Sequence, residues 1–399
     1  MTPPQAATAS VPVRAAPLPR VLWPLLFGNF VIGAGVMVVP GTLNEISTDL
    51  RVTVATAGQL ITAGGVVMCF GAPLCAALVA GWDRRRLLAL TMVWYALLHL
   101  ACAAAPGMAS LLPLRALAVL APAIFTPQAA ACVGLLVAPQ DRGRAITFVF
   151  LGWSLASVLG MPMGAYVGGQ FGWRAALVLM AVLSAISAAW VWRSLPDGVR
   201  PPALSRSAWA QTLGSRPLML CVAVTVLSAA GQFVLFSYFA PYWKNVYGAT
   251  PRQLSMLFMW FGAFGLVGNL LMARFVDRIG AARAVLVGVS AMAITMLLWP
   301  LGTGPIAAAL ILVPWALGCF SSNSAQQARL VAMAPSLAAG SVALNSSALY
   351  AGQAIGAAAG GWLILHAGYD VLHWAALAGL LAAIATSVLA DRALRAPER

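Results

Sequence analysis

Apolar residues fill this chain in long runs, and polar residues gather in short clusters between them. Twelve runs stand out, at about 21–43, 53–79, 87–105, 109–137, 143–169, 173–194, 217–247, 251–275, 282–301, 304–333, 337–366 and 371–392. Each is long enough to cross a hydrocarbon core of about 30 Å as a helix, which takes about 20 residues. The pattern predicts an all-α membrane protein of twelve transmembrane helices. The fifth run carries a second period. Gly152, Ala156, Gly160, Gly164, Gly168 and Gly172 recur every fourth residue, with Pro162 among them. Successive members drift by only about 40° around a helix and make one smooth stripe. In lipid such a stripe lets a second backbone approach closely.

The stripe returns 196 positions later as Ala348, Gly352, Gly356 and Gly360. Ala138-Pro139 before the fifth run has its counterpart in Ala334-Pro335 before the eleventh. The basic turn from Trp82 to Arg86 matches the turn from Asp277 to Arg283 at nearly the same offset. Between the two copies lies the one long hydrophilic stretch, 193–216, which holds Pro196, Gly198, Pro201 and Pro202 and reads as a linker. A short interfacial helix is expected near 207–213. The chain therefore divides into a tail (1–20), a six-helix half (21–194), a linker (195–216), a second six-helix half (217–392) and a tail (393–399). Two halves of equal topology imply a pseudo-two-fold axis along the membrane normal. The paired stripes are expected to set spans 5 and 11 against spans of the opposite half.

Composition sharpens this picture. The chain is 62% hydrophobic and 8% charged, against roughly 25% charged in soluble domains. The net charge of +14 raises the question of a polyanionic partner, and its distribution answers it. With the N-terminus in the cytoplasm, the outer side receives only Arg51, Arg174, Lys244 and Arg252, and Arg115 lies inside a span. The other arginines fall on the cytoplasmic side, a strong positive-inside bias. The basic excess orients the protein, with both termini cytoplasmic, and no nucleic-acid partner is expected. The six cysteines all lie in the runs and read as small core hydrophobes. There is no metal-spaced Cys/His cluster, no HExxH and no phosphate-binding Gly-rich loop with lysine. An enzyme, a metal site and a cofactor are not expected, and a single lysine argues against an ATP-driven pump. No small-residue cleavage site follows the Ala/Pro-rich tail, so a removed leader is not expected either.

These features together resemble the major facilitator superfamily along the whole chain. Ala273-x-Phe275-Val276-Asp277-Arg278-Ile279-Gly280-x-x-Arg283 is similar to the signature loop of that family. The first-half copy departs from it, with Ala80 at the usual aspartate position. Arg115 in Leu114-Arg115-Ala116 resembles the family's span-4 arginine. Gly160-Met161-Pro162-Met163-Gly164 resembles a variant of the span-5 motif of twelve-helix drug:proton antiporters and sugar or metabolite exporters, with the proline displaced by one. The resemblance implies alternating access, a cavity lined mainly by spans 1, 4, 7 and 10, and gates where spans 2, 5, 8 and 11 meet. Proton antiport is implied in the same way.

The residues themselves leave some chemistry open. No acid falls at the centre of a span. Glu45, at the outer end of span 1, is a proton-coupling candidate, or else a solvated loop acid beside Asp49 and Arg51. His99 in span 3 is a second candidate, or a packing residue. Arg115 is costly in lipid unless it faces protein or water; it reads as a cavity or gate residue, or as one that reaches to the interface. Asn29, Gln59, Gln128, Gln232, Asn323, Tyr350 and Gln353, with Trp153 and Phe233, are the cavity candidates, or else interhelical hydrogen-bonding and packing groups. Gly160, Pro162, Gly164, Gly352, Gly356, Gly360, Asp277, Arg278 and Arg283 are the gate and helix-packing candidates. An apolar cavity with a few amides suits a neutral or amphipathic solute. The expected protein is a monomeric, multi-pass exporter of the bacterial inner membrane, working on a small organic molecule with protons as the coupling ion. A passive facilitator or uptake carrier of the same fold is the alternative, and a non-transporting membrane receptor a remote one.

Overall fold

The computed structural model describes residues 19–79, 81–138, 141–200, 206–302, 304–334 and 337–395. Ala80, Pro139 and Pro335 lie outside the described residues, as do most of both tails. The described elements are helices: α1 (Leu22–Gly41), α2 (Leu43–Asp49), α3 (Val54–Leu78), α4 (Arg84–Ala103), α5 (Met108–Ala118), α6 (Leu120–Leu136), α7 (Arg142–Leu155), α8 (Met161–Phe171), α9 (Trp173–Ser194), α10 (Arg206–Gly214), α11 (Arg216–Phe236), α12 (Phe239–Tyr247), α13 (Pro251–Ile279), α14 (Ala281–Leu298), α15 (Pro305–Met333), α16 (Ala338–Ala367) and α17 (Leu372–Arg395). Twelve spans result. Several are built from two helices, because prolines and turns break what the hydrophobic pattern draws as one run. Span 1 ends at Gly41 just after Pro40, and the short helix α2 follows beyond it. Span 7 stops at Phe236 and resumes as α12. Helix α10 lies where the linker is expected to carry a short helix.

Span 5 is interrupted differently. Pro162 has no N–H for the carbonyl four residues before it, and the helix widens there into a π turn, Ala156–Gly160. At the equivalent place in the second half stands Ala358, and α16 runs through unbroken.

The glycine stripes pack inside each half, not between halves as their sequence suggests. A Cβ on Gly160 would lie 2.6 Å from the Ala34 methyl, and one on Gly164 would press on Val38. In the second half a Cβ on Gly356 would strike the backbone at Ala230 and Val234, and one on Gly360 the backbone at Val234. Both pairs of partners are again 196 residues apart. The stripes therefore clamp span 5 to span 1 and span 11 to span 7. The internal repeat is thus one of contacts as well as of letters. Gly352 follows the same rule, meeting Ala229 of α11.

Different residues join the halves. Gly65 of α3 takes the backbone of α16 against it: a Cβ there would lie 2.8 Å from the Tyr350 carbonyl oxygen and 2.9 Å from the Ala354 nitrogen. On the opposite side Gly262 of α13 lies against the Ser157 backbone in the π turn. Ser255 Oγ donates to the Pro162 carbonyl at 3.0 Å, and Gly169 packs on Pro251. These contacts run from mid-span to the end of the molecule away from the termini. Toward the termini the same helix faces, at Cys69 and Ala72 of α3 and Phe150 of α7, become part-exposed or exposed. The contacts between the halves thus gather from mid-span to the far end, and toward the termini residues on the same faces are more accessible.

Candidate functional site

Each half carries a buried polar network close to this parting line, at matching positions. In the first half Asn29 Nδ2 donates to the Val149 carbonyl at 3.3 Å, and Thr126 Oγ1 donates to Asn29 Oδ1 at 2.8 Å. The Trp153 indole completes the chain by donating to Thr126 Oγ1 at 3.2 Å. In the second half Thr225 Oγ1 donates to Asn345 Oδ1, and Asn345 Nδ2 donates to Asn323 Oδ1 at 3.1 Å. Thr225 and Asn345 stand 196 residues after Asn29 and Val149, and Asn323 falls within one residue of that offset from Thr126. The repeat has kept a polar tie between spans 1, 4 and 5, and between 7, 10 and 11. Buried amides demand such partners. A cavity of about 20 Å³ adjoins the second network, lined among others by Thr225, Ser228, Gln232, Asn323 and Gln326.

The other cavity candidates are scattered. Gln128 and Gln353 are buried, on α6 and α16, and Gln59 is exposed on α3. Tyr350 is half-buried at the α3–α16 crossing. The Trp315 indole points at Gln232 Oε1 across 3.4 Å. Phe233 meets Phe236 edge-on at 5.6 Å and belongs to a chain of touching rings that runs on through Phe239, Phe261 and Trp315. That chain stiffens the far end of the second half.

Arg115 and His99 do not face the gap between the halves. Arg115 is 4% exposed and lies between α1, α4 and α5. Its Nη2 donates to the Gly35 carbonyl at 2.8 Å and the Val36 carbonyl at 3.3 Å. Proline 40 explains the site, because a residue without N–H leaves the Val36 carbonyl without its helix partner. His99 is fully buried beside it, with Nδ1 2.8 Å from the Tyr95 carbonyl and Nε2 3.4 Å from Arg115 Nη1. Donation by Nδ1–H to Tyr95 leaves Nε2 to accept from Arg115, so the contacts describe a neutral imidazole. The pair mends a break in span 1.

Arg115 also has company. Arg329 lies within α15, 3% exposed, and its Nη2 pairs with Asp391 Oδ1 of α17 at 2.7 Å. It lies near the termini end of span 10, a buried cation of the spans as Arg115 is.

Glu45 occupies the seam. It stands on α2 and faces Lys244 of α12, the matching short helix of the other half, in a recess of about 410 Å³ that Asp49, Thr48, Pro251 and Leu254 also line. Its Oε2 is buried without a partner among the described residues. Burial pushes the Glu45 carboxyl up, and a backbone hydrogen bond and the Lys244 charge offset part of that rise. Neighbouring Asp49 behaves oppositely: Arg174 and the Trp173 indole hold it below the usual carboxylate range.

The gate loops differ. Arg278 and Arg283 are exposed at the termini end; the Asp277 side chain lies outside what the structure describes. The first loop is tied down within its own half. Asp83 caps α4 by accepting from the Arg86 N–H at 3.1 Å, and its other oxygen accepts from the Gly198 N–H at 2.6 Å. Gly198 has φ +86°, a backbone state that suits glycine. The Arg84 N–H donates to the Val199 carbonyl at 3.0 Å, and Arg85 pairs with Asp197 at 3.2 Å while lying over Trp192. For Asp83, burial is the largest single influence and acts upward, but the hydrogen bonds together outweigh it and hold the carboxyl below its ordinary value. An aspartate just before a helix start signals a cap in the sequence; its second partner across the half does not.

The profile of the Major Facilitator Superfamily matches residues 25–343 and 221–398. The chain is 28% identical over 388 residues to the inner membrane transport protein YdhP of Escherichia coli K12, covering 95% of this chain and 98% of that one. It is 26% identical to a probable sugar efflux transporter of Mannheimia succiniciproducens, over 86% and 87% of the two chains. Among solved structures, a D-xylose–proton symporter superposes with a TM-score of 0.75 at 16% identity, covering 92% of this chain and 96% of that one. That likeness concerns the fold alone.

Proposed function

The chain belongs to the major facilitator superfamily, and from that we propose that it exports a small neutral or amphipathic organic solute across the bacterial inner membrane in exchange for protons. It is a multi-pass membrane transporter, not an enzyme. In our reading both termini face the cytoplasm, as the arginine distribution requires, so the structure is open to the inside. The halves 21–194 and 217–392 rock as units about the solute, and a monomer suffices.

One observation carries the reading: two pseudo-symmetric halves whose mutual contacts gather from mid-span to one end of the molecule. That is one of the two states an alternating carrier needs. The second half offers the solute Ser228, Gln232 and Asn323 around the small cavity beside its polar network. Among the described residues a strongly anionic solute finds no free buried arginine, since Arg84, Arg115 and Arg329 are all engaged. Efflux is favoured by the name of the sugar efflux relative. Proton coupling falls to Glu45, the acid at the seam with a buried unpartnered oxygen; His99 is enclosed and engaged and has no such access.

Everted vesicles carrying the protein test the direction and the coupling together. Solute accumulation inside them is expected under an imposed proton gradient, and collapse on adding an uncoupler. Accumulation that ignores the gradient would leave a passive facilitator of the same fold. A screen of sugars, nucleosides, amino acids and drugs against a deletion strain identifies the solute.

A further inference from the structure

The break in span 7 places one side chain across the seam. Helix α11 ends at Phe236, and α12 starts at Phe239. Between them Tyr238 leaves helical geometry, with φ −112° and ψ 21°, and its ring turns toward α16 and α3. The ring is 1% exposed. Its hydroxyl donates to the Ala357 carbonyl at 2.8 Å.

The slot that receives the ring is made of glycines. A Cβ on Gly361 would lie 2.5 Å from the phenol oxygen, and one on Gly360 would lie 2.9 Å from the ring edge. A Cβ on Gly58 would collide with the same oxygen and with ring carbons 2.7 Å away. Gly360 and Gly361 belong to α16, in the same half as Tyr238. Gly58 belongs to α3, in the other half. One wall of the slot therefore exists only while the far end is closed. The matching residue of the first half, Thr42, does nothing similar: its hydroxyl donates to Val38 of its own helix at 2.8 Å. The device is one-sided.

We propose that Tyr238 is the bolt of the far-end gate, a positioning residue whose seating between Gly58 and Gly361 sets the balance between closed and open. The proposal rests on the alternating-access reading above. It extends that reading to a named residue pair across the seam.

Spin labels at Ala104 and Ala367, both exposed at the far end of opposite halves, report the separation. They are introduced into the full chain after replacement of the six native cysteines. Wild-type protein is expected to show a short and a long distance. Gly58→Ala should lower the short-to-long ratio by about fivefold to tenfold, the effect of one unrelieved methyl overlap. Tyr238→Leu should loosen the gate as well. In the double variant the added methyl meets no ring, so Gly58→Ala should have little further effect there. Tyr238→Phe, which loses only the hydroxyl, should shift the ratio by about fivefold or less. A ratio unchanged by Gly58→Ala, or a shift of the same size with and without Tyr238, overturns the bolt alone. A single far-end distance in wild-type protein under all conditions overturns the alternating-access reading and the bolt with it. A thermal melt of each variant separates a gate effect from a folding defect, because Gly58 makes its close contact with the opposite half rather than with its own.

Discussion

A single missing N–H accounts for the position of a buried cation in this transporter. Pro40 frees the Val36 carbonyl, and Arg115 supplies donors to it and to Gly35. Arg115→Leu removes both and leaves the Val36 carbonyl buried without a partner, at a cost of about 1–3 kcal/mol. The expected result is a lower melting temperature with or without solute present, measured on purified protein. Loss of transport with unchanged melting would move Arg115 from a structural role to a transport one. Glu45 calls for a different measurement. Its pKa is raised while the far end is closed, and opening the far end exposes it to water. The closed state therefore binds the proton more tightly. The proton's support for closure is complete below the ordinary glutamate pKa and fades as pH rises through the raised one. Far-end label distances should lengthen with rising pH across that window, and Glu45→Gln should stay closed throughout. An unchanged pH response in Glu45→Gln would place the sensing group elsewhere.

At the scale of the helix, the glycine stripes and the seam glycines make separable predictions. Gly160 and Gly356 hold span 5 on span 1 and span 11 on span 7. Leucine at either should prise a half apart, with overpacking of about 3 kcal/mol or more, seen as a lower melting temperature or poor yield. The atoms nearest a Cβ on Gly65 belong to the opposite half, the Tyr350 and Ala354 backbone and the Ala354 methyl. Gly65→Leu should preserve melting and abolish transport by preventing far-end closure. Equal melting of all three variants would show that the stripes tolerate bulk and that the halves are looser than their contacts imply. The stripes were legible in the sequence as close-packing surfaces, and the twelve spans were legible from hydrophobic runs alone. Which helix each stripe meets was not, because a small-residue face is complementary to any smooth neighbour. The seam glycines Gly58, Gly65 and Gly262 stand out from no pattern. Likewise, Asn29 and Asn323 were visible as buried amides, but Thr126 and Asn345 gain meaning only once folding sets them beside these. Arg115 was visible as a charge in a span; that Pro40, far off in sequence, creates its partner follows from the reach of the Arg115 side chain from α5 to α1.

For the whole molecule, asymmetry decides what the pseudo-symmetric halves can do. Span 5 carries a π turn at the seam with α13, and span 11 carries none at the seam with α3. Tyr238 crosses the seam, and Thr42 does not. The two seams of the far-end gate are thus built differently, so closing them need not be a single event. Chain connectivity adds a limit to the opposite end. The segment after α9 is fastened to the first half where Gly198 and Val199 meet Asp83 and Arg84. Thr212 of α10 is seated on Gly340 of the second half. Between those anchorages only a handful of residues, 201–205, join Arg200 to Arg206. Six links reach about 20 Å at full stretch. While both anchorages hold, chain length alone therefore bounds how far the fastened parts of the two halves can separate at the termini end.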